Sequence, residues 1–187
     1  MRLMNEIIAA TFTGITSCIR HDGVSAPGLS YGMRSLREIA TLLVPKPSMK
    51  FIAPALFPLF SKRIQEECLY SNEAIYRNLV WQRRGLLVEE RLSDSIINGA
   101  LLFQGNVSPR ELRLIHRSVH LEKAIKYNPV FHSELKVFLS QNKTPCLPEC
   151  FSLRPEKCQA IGLFNSTLMR EFFKKLDSRF EEMEAKH

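Results

Sequence analysis

The sequence lacks the short signatures of most nucleotide- and metal-dependent enzymes. No GxxxxGK[ST], GxGxxG or GxSxG occurs, so neither a phosphate-cradling loop nor a nucleophile elbow is expected. No HExxH is present either: His116 and His120 stand four apart, but Arg117, Ser118 and Val119 lie between them. They share a helix face without the metalloprotease glutamate and beside a repelling arginine, and are read as surface or interface histidines. No apolar run reaches the roughly 20 residues of a membrane span. The longest candidate, Met49–Phe60, is short and carries Pro54 and Pro58, so it is read as a packing segment. A secretory leader, an internal repeat, an RNP1 element and a KH-type GXXG loop are also missing. No stretch alternates apolar and polar residues for long enough to demand a sheet.

Cysteine is too sparse for a zinc framework. Cys146, Cys150 and Cys158 share one loop, yet only Cys146 and Cys150 have the close spacing of a zinc pair. His132 or Cys68 would have to supply a fourth ligand, and nothing specifies either. An oxidising compartment would favour a disulfide here; buried free thiols are the commonest state for such residues. Glu90 and Asp94 lie one helical turn apart on a polar side, where a solvated pair is the ordinary outcome. No catalytic residue, metal ligand or cofactor-binding residue is therefore assigned, and no cofactor is expected.

What is present is a globular, basic chain of 187 residues, 45% hydrophobic and 24% charged, with net charge +7. Its natural partners are nucleic acid, an anionic membrane surface or an acidic protein face. Acids are scarce at the start: residues 1–65 hold only Glu6, Asp22 and Glu38 against eight basic residues. The first 20 residues are amphipathic and rich in Ser and Thr, which fits an ordinary helix and a mitochondrial targeting segment equally well. Arg83, Arg84, Arg110, Arg113 and Arg117 concentrate positive charge, with Trp81, Tyr76 and Tyr127 available for stacking on bases.

The strongest local pattern runs from Glu90 to Glu111. Leu92, Ile96, Ile97, Ala100, Leu101 and Phe103 have helical spacing, Gly105-Asn106 suits a left-handed stop, and Ser108-Pro109-Arg110-Glu111 reads as a capping box. The spacing predicts a helical hairpin whose apolar stripe (Leu92, Ile96, Ile97, Leu101, Phe103) packs on a partner. Further helices are expected over residues 1–20, 34–44, 61–83 and 109–126. Asn128-Pro129 would start another, carrying Phe131, Leu135, Phe138 and Leu139. The last, capped by Asn165 or Ser166, would carry Met169, Phe172, Phe173, Leu176, Phe180 and Met183. Residues 142–162 read as a loop. The expected class is mainly α, with several helices joined by long Pro-rich connections in an extended accessory-subunit shape. Three segments follow: a basic, Pro-interrupted extension over 1–60, a central helical domain over 61–142, and a Cys/Pro loop with a C-terminal helix over 143–187.

Four short pieces bear on a family. Tyr31-Gly32-Met33-Arg34, Glu73-Ala74-Ile75-Tyr76-Arg77-Asn78-Leu79, Glu90-Arg91 and Asn106-Val107-Ser108-Pro109-Arg110-Glu111 occur in the order of similar elements in subunit 7 of mitochondrial ubiquinol–cytochrome c reductase (complex III), the ubiquinone-binding 14 kDa type. The central region resembles that family. The resemblance implies a non-catalytic structural and assembly subunit of the respiratory chain. It would lie on the matrix side of the mitochondrial inner membrane, packed on cytochrome b and the core subunits, with peripheral membrane contact. The alternative is a basic mitochondrial ribosomal protein binding rRNA through its arginine-rich helices.

Overall fold

A computed structural model describes residues 2–20, 35–58, 70–81, 95–105, 107–121, 126–131, 135–140 and 158–185. Within them the chain forms a mixed sheet with helices on both faces, so the expected mainly α class is corrected to α/β. The elements are α1 (Arg2–Arg20), α2 (Leu36–Leu43), β1 (Ala53–Phe57), α3 (Asn72–Trp81), β2 (Ile96–Gly105), α4 (Pro109–Leu121), β3 (Leu135–Ser140), β4 (Cys158–Ser166) and α5 (Leu168–Glu184). A short 3₁₀ turn, Pro47–Met49, separates α2 from β1.

The sheet has the order β1-β4-β2-β3. β4 runs antiparallel to both β1 and β2, whereas β2 and β3 are parallel and joined through α4. The sheet draws strands from all three segments expected from the sequence. The two expected boundaries, near residues 60 and 142, lie outside the described residues.

Each side of the sheet has its own core. On one side Leu101 and Phe103 of β2 join Leu135, Val137 and Leu139 of β3, Ala160 and Phe164 of β4, and the inner residues of α3 and α4. On the other, Ala100 and Leu102 of β2 join Phe138, Ile161 and Leu163, under Ala10 of α1 and Ile39 and Leu43 of α2. The central strands are thus apolar on both faces. This explains why they did not look like strands: a strand buried on both faces is a continuous apolar run without alternation. The helix expected over 90–104 is β2 where it is described. The helix expected around Phe131–Leu139 gives way to β3, and the last part of the 142–162 loop is β4.

Polar side chains pin the helical layer of α1 and α2 to the sheet. Asn98 Nδ2 donates to Leu42 O at 3.0 Å. Asn165 Nδ2 donates to Leu43 O at 2.8 Å and to Met49 O at 2.7 Å, satisfying the carbonyl end of α2 and the 3₁₀ turn together. Gln104 Nε2 donates to Gly14 O at 3.2 Å. That bond requires α1 to approach very closely, and Gly14 permits it. A Cβ built there would fall inside the Cδ1 methyl of Ile161 and 2.9 Å from Gln104 Nε2. The Gly105-Asn106 reading was right about the backbone and mistaken about the element: Gly105 has φ 112°, a left-handed value, but it ends a strand.

Candidate interaction surface

The stripe assigned to partner contact lies inside the chain's own core. Ile96, Leu101 and Phe103 are fully buried and Ile97 nearly so. Leu92 lies outside the described residues. The cover for Ile96, Leu101 and Phe103 comes from α3, α4, β3 and β4 of the same chain. Ser108 does stand at the start of α4, where its carbonyl accepts the first helical bond from Leu112 N at 3.0 Å. Of the basic set, Arg110, Arg113 and Arg117 are exposed along α4, and Arg83 and Arg84 lie outside the described residues.

The two histidines are not free on the surface. Tyr76 Oη on α3 lies 2.7 Å from His116 Nδ1 on α4. The His116 and His120 rings meet edge to face at 4.4 Å, and His120 Nε2 lies 3.3 Å from Tyr127 Oη, the two rings stacked at 5.7 Å. Burial, aided by neighbouring His120, lowers His116 to about 4. The Tyr76 phenol is pushed far above its ordinary range, first by burial and then by Tyr127. Both groups are neutral at pH 7. The neutral phenol and the neutral imidazole share one hydrogen bond through Nδ1. This Tyr–His–His–Tyr string ties α3 to α4 and to the segment before β3. Sequence spacing paired the histidines; only the fold brings Tyr76 and Tyr127 to them.

Among the described residues no group of three or more His, Cys, Asp or Glu side chains is placed to hold a metal ion. Cys158 is half-buried at the start of β4, and burial, with Glu111 adding to it, pushes its thiol up to about 12. It is therefore a protonated, unreactive thiol at neutral pH. Cys68, Cys146, Cys150 and His132, as well as Glu90 and Asp94, lie outside the described residues. Among those described, no helix is long and apolar enough to cross a membrane.

Exposed apolar side chains lie both on helices and on connections, where Phe51, Tyr70 and Val130 are exposed. Met4, Ile8 and Phe12 form an exposed row on α1, and Phe173, Leu176, Phe180 and Met183 form another on α5. The α5 row is the stripe expected from its spacing. Only Leu168 of that helix is buried. Nearer the body, Phe173 meets Phe51 edge to face at 4.8 Å.

No protein-family model matches the chain. The similar curated proteins are tubulins. The chain is 21% identical over 98% of its length to the nucleomorph tubulin alpha chain of Guillardia theta, and 23% identical over 96% to the tubulin beta chain of Enteroctopus dofleini. A third relative, beta-Tubulin at 65B of Drosophila melanogaster, is 28% identical over 58% of the chain. The matched parts cover 39%, 37% and 22% of those three relatives, so the chain spans well under half of each. These findings overturn the resemblance to complex III subunit 7, and with it the respiratory-chain role and the expected packing on cytochrome b and core subunits. The ribosomal alternative has no support either. The physical reason for the error is visible in the fold. Of the four short pieces, Glu73–Leu79 lies in α3 and Val107–Glu111 at the start of α4, while the supposed central helix between them is the strand β2 where described. The spacing that linked the pieces belonged to a different architecture.

Proposed function

We propose that the chain is a tubulin-like segment that works by association with tubulin chains and performs no reaction of its own. The observation that carries this reading is likeness to alpha and beta tubulin chains over 96% or more of its length. The surface supports it. The sheet's faces are closed by the chain's own helices, the Tyr76–His116 pair is neutral, and rows of exposed apolar side chains on α1 and α5 lie where another polypeptide can cover them. The net charge of +7 adds attraction toward an acidic protein surface.

Sedimentation velocity of the purified chain mixed with tubulin tests the reading. Saturable co-sedimentation with a Kd in the micromolar range, weakened by added salt, is the expected result. Failure to bind tubulin at about 100 μM would overturn it.

A further inference from the structure

The geometry points to the outer face of α4 as a docking surface for an acidic helix of a partner protein. This face is separate from the apolar rows of α1 and α5, and its test uses no tubulin, so it and the tubulin reading can fail separately.

Leu112, Ile115 and Val119 turn the inner side of α4 to the core. The opposite side carries Arg110, Arg113, Leu114 and Arg117, all exposed, with Leu114 at 61%. These four stand at i, i+3, i+4 and i+7, the corners of a diamond on one helix face. They fall within an arc of about 100° and span about 10 Å along the axis.

The arrangement works against the helix that carries it. Arg110 and Arg113 are like charges at i, i+3, and Arg113 and Arg117 at i, i+4, spacings at which like charges destabilise a helix. Arg110 also stands in the first turn, where the helix dipole disfavours a cation. None of the three arginines makes an ion pair or hydrogen bond with a described residue. Glu111 is the one acid of α4. Leu114 and Ile115 occupy its pairing positions, and it accepts from Asn72 Nδ2 of α3 at 3.0 Å. Elsewhere cations do find an acid one turn away: Arg77 meets Glu73 at 2.7 Å in α3, and Lys174 meets Glu171 at 3.0 Å in α5. Three positive charges held together at a local cost mark a place where helix stability gives way to recognition.

The charge calls for an anionic partner, and Leu114 decides its kind. A phosphate backbone offers nothing to a leucine standing among the arginines. The tyrosines that could stack on bases are engaged inside: Tyr76 is fully buried and Tyr127 is stacked on His120. One leucine is too little apolar surface to hold a bilayer interface. An acidic helix with one apolar side chain among its carboxylates matches both features. Set antiparallel on α4, a helix with Glu at i, i+3 and i+7 and Leu at i+4 places its carboxylates opposite Arg117, Arg113 and Arg110 in turn. Its leucine then lies opposite Leu114, and every pair is level to within about 1.5 Å along the axis. Arginine forks can grip carboxylates through both oxygens. Exposed ion pairs are individually weak, so such a segment by itself should bind with a Kd of about 0.1–1 mM.

The test is an NMR titration of the isotope-labelled full chain with a synthetic helical peptide of about 15 residues carrying that pattern. Saturable shifts centred on α4, weakened by added salt, are expected. A peptide of the same composition with its glutamates spread around the helix should bind about tenfold more weakly. Arg113→Glu/Arg117→Glu should weaken the acidic peptide by about tenfold or more and should bind a peptide with lysines in place of the glutamates. Its circular dichroism spectrum should be unchanged, because both residues are exposed. Arg113→Gln/Arg117→Gln removes the charge without reversing it and should weaken binding in the same direction. No saturable binding up to about 3 mM overturns the proposal. So does equal binding of the two acidic peptides, or binding indifferent to both double variants. Tighter binding of oligothymidylate through the same arginines also overturns it, by making the face a nucleic-acid surface.

Discussion

Gly14→Ala should separate the two forces that place α1 on the sheet. In a free helix the change is favourable by about 1 kcal/mol, because alanine is the better helix former. Here the new methyl would fall on Ile161 Cδ1 and come within 2.9 Å of Gln104 Nε2. Ile161 is fully buried, so its methyl has nowhere to swing, and such overpacking costs about 1–3 kcal/mol. The net expectation is a loss of up to about 2 kcal/mol in urea denaturation followed by circular dichroism, with the Gln104–Gly14 bond weakened as α1 is pushed off. Ile161→Val alone should cost about 1 kcal/mol. In the double variant the alanine methyl takes the volume that Cδ1 vacates, and the helix gains its propensity. Gln104 Nε2, 2.9 Å away at the end of a flexible side chain, and Ile161 Cγ1, 3.0 Å away, must still yield by a few tenths of an ångström. The double variant should therefore return to within about 0.5 kcal/mol of the parent, a coupling of about 2 kcal/mol between residues far apart in sequence. If Gly14→Ala stabilises the chain by itself, or if the two losses simply add, α1 is not seated against β4 in this way.

Three further outcomes follow from burial and hydrogen bonding. Leu101→Asp should unfold the isolated chain, losing more than about 4 kcal/mol, since Leu101 is fully buried in the chain's own core; a folded variant impaired only in association would place that side chain at a partner surface instead. Asn165→Ala should cost about 2–3 kcal/mol by leaving the carbonyls of Leu43 and Met49 without their donor, readable as a lower thermal midpoint, and an unchanged midpoint would mean that α2 is anchored by packing alone. His116 is lowered from 6.5 to about 4, so between those values the unfolded chain binds more protons. Its contribution is complete above pH 6.5 and is lost as pH falls toward 4, amounting to about 1–2 kcal/mol once solvent screening of this half-buried ring is allowed for. His116→Asn should flatten the stability profile in that window, and an equally steep fall would assign the acid sensitivity elsewhere.

Helices with one covered face were legible in the sequence, and strands covered on both faces were not. Met4, Ile8 and Phe12 face outward on α1 while Ala10 and Gly14 face the sheet, which leaves a 3.6-residue rhythm on the page. α5 shows it more plainly still, and Ser108-Pro109 marked the start of α4 correctly. β2 has no such rhythm. Ile96, Ile97, Ala100, Leu101 and Phe103 fit helical spacing, yet Leu101 and Phe103 point to one core and Ala100 and Leu102 to the other. A usable signal was Gly99 within that run and Gly162 in the middle of Cys158–Ser166, since glycine is poorly suited to a helix interior. The two lie in the paired strands β2 and β4, with Leu101 opposite Gly162. The likeness to tubulin did not show in any short motif singled out, and identity over the matched length is only 21%. The His116–His120 pair was found by spacing, but its tyrosines come from residues 40 and 7 positions away from the histidines they meet.

The closed sheet limits where another chain can bind. Its faces are occupied, and among the described strands its edges are β1 and β3. β1 is five residues long and carries Pro54, which has no N–H to offer, so that edge is a poor template for adding a strand. β3 is only six residues and its Lys136 is half-exposed, a charge that discourages edge pairing in the same way. Strand addition is thus disfavoured on both sides, and association must use the outer helix faces. There Leu36 and Leu114 stand singly, but α1 and α5 carry rows, each on a helix whose inner residues already hold it to the sheet or to the strand before it. A row on an anchored helix loses little conformational entropy when it is covered, because its backbone is already fixed. Proteolytic protection on binding should consequently appear along α1 or α5. Protection confined to β1 or β3 would mean that a strand edge, despite its proline or lysine, is the true contact.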